Sequence, residues 1–187
     1  MPNSNKIIQT MKKKGISEEI IKQFESVGAG GSYIEQRLAT VDLMDRLLSK
    51  EQCLSVMEEQ GCCVTGKPAA AHRAFGRKHE GKTVEERLRL FDELDTPHKP
   101  PCKLNGDGTL SVFWGFGQDG DYKCVCGNIG KLPQPVSLSP TYCGCCGGHV
   151  RQNLQKSLGV KLRLKEIVSS PVSSNGKKRC EFLFEII

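Results

Sequence analysis

The chain has 187 residues, 37% of them hydrophobic and 26% charged, a composition that fits a soluble globular protein with one well-buried core. Its formal charge of +6 is uneven: residues 1–100 carry 16 Lys/Arg against 15 Asp/Glu, and residues 101–187 carry 11 against 6. No stretch approaches the roughly 18 apolar residues that span a bilayer, and the basic half lacks the aromatic–basic interleave of a nucleic-acid binder, so neither a membrane nor nucleic acid is expected as partner.

The first 96 residues read as a helical region. Ser17-Glu18-Glu19 starts a helix with Ile16, Ile20, Ile21 and Phe24 at helical spacing, and Gly28-Ala-Gly30-Gly31 ends that segment. A second helix is expected from Ser32, with Glu35 at capping-box spacing, running as one stripe through Ile34, Leu38, Val41, Leu47, Leu48, Leu54 and Met57 to Gly61. A third starts at Thr83, with Val84, Leu88, Phe91 and Leu94 on one face. Residues 97–104 read as a Pro-rich linker. Beyond it, Thr109 to Trp114 and Tyr122 to Cys126 are expected as strands joined through Gly117-Gln-Asp-Gly120. Ser139-Pro140 supplies a cap and a Pro at the first helical position, and Gly159 a C-terminal stop, for a helix of about 19 residues. Val160 to Val168 and Arg179 to Ile187 form a second hairpin around Asn175-Gly176. The fold class is therefore α+β: an antiparallel ββαββ C-terminal unit packed with N-terminal helices.

The most specific chemistry lies in the ten cysteines. The N-terminus has no apolar signal core, which points to the cytoplasm, where cysteines stay reduced and bind metal or do redox work. Cys124-Val-Cys126 and Cys143-Gly-Cys145-Cys146-Gly-Gly-His149 put five thiols and an imidazole into two short windows. On a strand, Cys124 and Cys126 would share a face; on the helix, Cys143 and Cys146 lie on the core-facing stripe with Val150, Leu154 and Leu158. Two such pairs could make a tetrahedral thiolate site, zinc being the metal that suits it, with Cys145 and His149 as substitute ligands. A second reading, behind metal, is buried structural thiols, with Gly144, Gly147 and Gly148 permitting close helix packing. A third reading takes Cys143 or Cys145 as a nucleophile, with the helix start lowering the pKa of Cys143 and His149 serving as base. Cys62, Cys63, His72 and His79 form a weaker set, Cys53 reads as core, Trp114 as a core or pocket aromatic, and Lys177-Lys178-Arg179 as a charged hairpin tip.

The Cys-x-Cys-Gly segment, Ser139-Pro-Thr-Tyr-Cys143 opening a helix, and the closing Arg179-Cys180-Glu-Phe-Leu-Phe together resemble the four-vinyl reductase type of ligand-binding domain and related cysteine-rich bacterial proteins, over about residues 105–187. Where that family carries Gly-Asp before the last cysteine, Asn175-Gly176-Lys-Lys-Arg179 stands here. The resemblance implies an α/β fold with a small hydrophobic or metal-linked ligand between helices and sheet. Two functions are thus expected as alternatives: a small-molecule or metal-binding, sensor-like module with a zinc site at Cys124, Cys126, Cys143, Cys145, Cys146 and His149, taking a hydrophobic or anionic ligand; or a thiol-dependent hydrolase or redox enzyme using a helix-start cysteine.

Overall fold

Ser and Thr caps start four of the helices in the first ninety residues, and the computed structural model describes residues 4–27, 31–61, 65–94, 96, 99–132 and 136–187. The element order is α1 (Ser4–Lys13), α2 (Glu18–Lys22), α3 (Tyr33–Leu47), α4 (Lys50–Met57) with a 3-10 turn at Glu58–Gln60, α5 (Gly66–Lys78), α6 (Val84–Arg89), β1 (Cys102–Leu104), β2 (Thr109–Trp114), α7 (Pro140–Leu158), β3 (Leu162–Ser169) and β4 (Cys180–Ile186). The four strands form one antiparallel sheet in the order β1-β2-β4-β3. The fold is α+β, an antiparallel ββαββ unit packed against helices.

Local chemistry explains several departures from expectation. The single helix expected over residues 32–61 is two: Ser49 caps α4 with its own reciprocal box to Gln52, and Leu48 before it is extended. A strong cap inside a helical stretch ends one helix and starts another. The third expected helix shortens to α6 and a 3-10 turn at Phe91–Glu93. Helices α1 and α5 were not expected. They bury Ile7 and Met11, and Ala69, His72, Phe75 and Gly76, stripes in which small and polar residues dilute the apolar signal.

The first hairpin also lies one step earlier than expected. Tyr122 to Cys126 is not a strand; it makes one isolated bridge, Phe116 to Lys123. Strand β2 already has β1 on one side and β4 on the other, so no edge remains for it. Gly115, Gly117 and Gly120, all at positive φ, turn the chain away after β2. Its true hairpin partner, Cys102–Leu104, sits in the expected linker, and Phe113 N–H extends the pairing to the Pro101 carbonyl at 2.9 Å.

Helix α7 crosses the middle of the molecule, touching α3, α4, α5, α6, the 58–60 turn and β3. Its glycines make that closeness possible. A Cβ on Gly148 would stand 2.1 Å from the Glu58 carbonyl oxygen, one on Gly144 2.6 Å from Met57 Cβ, and one on Gly147 2.9 Å from a Leu164 methyl. Glu58, itself buried, accepts from Leu164 N–H at 2.8 Å and pairs with Arg151 at 2.9 Å, tying the 58–60 turn to β3 and α7. Two apolar clusters flank α7. One, on the sheet side, contains Leu110, Val112, Leu154, Phe182 and Phe184; the other, among the helices, contains Ile7, Met11, Met44, Met57 and Tyr142.

Candidate functional site

The seam between these clusters is where the thiols meet. Cys143 belongs to the sheet-side cluster with Cys180, Cys145 to the helical cluster, and Cys146 packs against both. Cys124 and Cys126, half-buried on the segment after β2, pack against the helical cluster. All eight described cysteines are free thiols; Cys62 and Cys63 lie outside the described residues.

The first turns of α7 are fixed from outside by α3. Ser139 caps the helix through Thr141 N–H at 3.1 Å, and the Thr141 hydroxyl donates to Asp45 of α3 at 2.6 Å. One residue on, the Arg37 guanidinium of α3 lies over the Tyr142 ring, 5.0 Å from its centre, and also donates to the Tyr33 hydroxyl at 3.4 Å. Arg37 is only 4% exposed. A buried guanidinium needs a charged or strongly polar partner, and the Arg37 charge acts on the nearby Cys145 thiol, lowering it.

The adjacent Cys146 thiol, with the nearby Arg37 charge, lowers Cys145 below the ordinary thiol range against its own burial. Cys145 in turn, together with burial, pushes Cys146 far up. The helix start does not activate Cys143; burial and the facing Cys180, Cys124, Cys145 and Cys126 raise it strongly. Cys180 is pushed up to about 12 by burial, then by Cys124 and Cys126, and Cys124 is raised by burial and the neighbouring thiols. Burial, and then the nearby Cys126, also raises the Tyr142 hydroxyl. Among the thiols whose environment shifts them, Cys145 is the one lowered.

Of the residues expected to form the site, Cys124, Cys126, Cys143, Cys145 and Cys146 converge, joined by Cys180. His149 turns to Trp114, ring centres 5.5 Å apart, with Asn153 Nδ2 3.4 Å from its Nε2. Among the described residues, no three His, Cys, Asp or Glu side chains stand as a ready-made metal-ligand set. Cys53 is core, 1% exposed, its thiol raised to about 11 by burial and then by Asp45. His72 is buried against Ser157, 2.7 Å from its hydroxyl. Arg179 at the hairpin tip stacks on Phe113, 4.4 Å from the ring centre. Sequence reasoning missed Arg37, and Cys180 entered it only through the family resemblance. Arg37 carried a signal: it lies four residues before Val41 and seven before Met44, on the face that α3 buries.

Comparison with protein-family models, with curated proteins and with solved structures gives no match. No helix among the described residues is long and apolar enough to cross a membrane.

Proposed function

We propose that this chain is a cytoplasmic, thiol-dependent redox protein in which Cys145 is the reacting group. The observation that carries the reading is the buried Arg37 guanidinium, held over the Tyr142 ring, whose charge acts on the buried Cys145 thiol. A cation beside a thiol favours thiolate, the nucleophilic form. At 5% exposure, Cys145 admits only small oxidants, and a hydroperoxide is the class that fits. The Cys145 sulfur attacks one peroxide oxygen, the O–O bond breaks, and the leaving hydroxide or alkoxide takes a proton and departs as water or alcohol. Cys145 becomes a sulfenic acid. A thiol of the half-buried 124–126 segment then attacks that sulfur, its proton and the sulfenic hydroxyl leave as water, and a disulfide forms.

The test is oxidation with one equivalent of hydrogen peroxide under argon, followed by a sulfenic-acid trap and peptide mapping. Cys145 is expected to oxidise first, giving a disulfide in the native chain and a trapped sulfenic acid when Cys124 and Cys126 are both replaced by Ser. Oxidation that instead tracks exposure, with Cys124 and Cys126 modified and Cys145 untouched, overturns the reading.

A second reading rests on the convergence of thiols from three elements. Cys124, Cys126, Cys143 and Cys146 would hold zinc, with Cys145 or His149 as a substitute, once the 124–126 segment closes on α7. Elemental analysis of protein purified without added zinc decides it. One zinc per chain, lost in Cys143→Ser and Cys146→Ser but kept in Cys53→Ala, supports it; no metal in any variant removes it.

A further inference from the structure

A cleft of about 360 Å³ opens directly on Cys124. One wall is the segment through Tyr122, Lys123 and Gly130; the other is the loop between β3 and β4, with Val172 and Asn175. Both walls are built rather than loose. Tyr122 N–H donates to the Gly176 carbonyl at 2.8 Å, joining them. Gly176 N–H closes the loop onto the Pro171 carbonyl at 2.7 Å, while Ser170 and Ser173 exchange backbone-to-hydroxyl bonds of 3.0 and 3.1 Å. Asn175 and Gly176 complete the turn at left-handed φ of 49° and 77°. Among the described residues, the lining is apolar at Val136, Pro171 and Val172, carries one cation, Lys123, and contains no carboxylate.

Resting on the redox reading of Cys145, we propose that this cleft receives the reductant, a low-molecular-weight anionic thiol, and that Cys124 is the resolving cysteine it attacks. The cleft reaches only one end of a Cys124–Cys145 disulfide: Cys124 lines it, whereas the buried Cys145 does not. A thiolate entering the cleft therefore meets Cys124, and Cys145 is the leaving group. The incoming sulfur bonds to Cys124, the Cys124–Cys145 bond breaks, and its electron pair leaves on Cys145. A second small thiol then displaces the first as a low-molecular-weight disulfide, and Cys124 takes up a proton. Lys123 holds the anionic group of the incoming molecule, and the valines and proline its carbon chain.

Two measurements separate the cleft from the redox reading. On the reduced protein, Cys124 is alkylated with iodoacetate and with iodoacetamide, and their rate ratio is divided by that for a free small thiol. The expected preference for the anionic reagent is about threefold, from one cation acting at roughly 6 Å through water, and it reverses in Lys123→Glu. On the peroxide-oxidised protein, mercaptoethanesulfonate is expected to reduce the disulfide faster per thiolate than 2-mercaptoethanol, through a mixed disulfide mapped to Cys124. Charge-blind alkylation and reduction, both indifferent to Lys123→Glu, overturn the cleft assignment while leaving Cys145 as the oxidised residue. A Cys126–Cys145 disulfide overturns the resolving role of Cys124. If alkylation shows the preference but peroxide leaves Cys145 reduced, the redox reading falls and the reductant assignment with it.

Discussion

An arginine in the middle of a helix face is ordinarily a surface residue, yet Arg37 is buried with its charge directed at a sulfur. It is therefore the residue whose replacement should speak most directly to the chemistry. Arg37→Gln removes the cation while keeping a donor and most of the length. The onset of Cys145 thiolate absorbance, read as the difference between each variant and its Cys145→Ser partner, is expected to move up by about one to three pH units. Arg37→Lys, which keeps the charge but not the planar stack on Tyr142, should recover part of the shift. If all three chains titrate alike, Arg37 only packs and the activation has another source. Nothing local in the sequence says that a cation points at a particular cysteine. What it does contain is the spacing of Arg37 with Val41 and Met44, which puts that cation on the inward face.

Among the elements, α7 was the most legible, because its signals are local and do not compete. Ser139 and Pro140 start it, and Gly159, at φ 71°, stops it. The segment 122–126 was the least legible. Alternating residues suit a strand, but whether a strand forms depends on a free sheet edge, and that is decided by β1 and β4 far along the chain. The glycines of α7 hold a middle position. Their number suggests close packing, but which neighbour each one admits is a tertiary fact. Gly148→Ala tests this. Alanine is about 1 kcal/mol better than glycine inside a helix, whereas a Cβ 2.1 Å from the Glu58 carbonyl forces α7 off the 58–60 turn, and overpacking of this sort costs about 1–3 kcal/mol. Chemical denaturation should show a net loss of stability for Gly148→Ala. Gly127→Ala, where a Cβ meets nothing within 4 Å, should lose little. A stabilised Gly148→Ala would mean that the helix and the turn are not in contact.

Across the whole molecule, α7 joins the thiol seam at one end to a buried histidine near the other, and acidity acts on both in the same direction. His72 is 1% exposed between α5 and α7, 2.7 Å from the Ser157 hydroxyl, with the Phe91 ring centre 6.3 Å away. Burial first, and then the charge of Lys156 and the neighbouring His149, lower it from 6.5 to about 4. Between those values the unfolded chain binds a proton that the folded chain refuses, so stability falls as the pH drops through that window. Cys145 has the same sign at higher pH. Its depressed thiol contributes fully above the ordinary thiol value, and the contribution is lost as pH falls through its folded value. Glu58 works the other way: burial raises its carboxyl, so it takes stability away as the pH rises above 4.5. The three are separable by difference. Urea unfolding of the native chain and of His72→Gln should diverge only below about pH 6.5, with the variant losing less stability on acidification down to about pH 4. Parallel curves through that window would show that His72 takes its proton in the folded state, and that the α5–α7 contact opens to admit it.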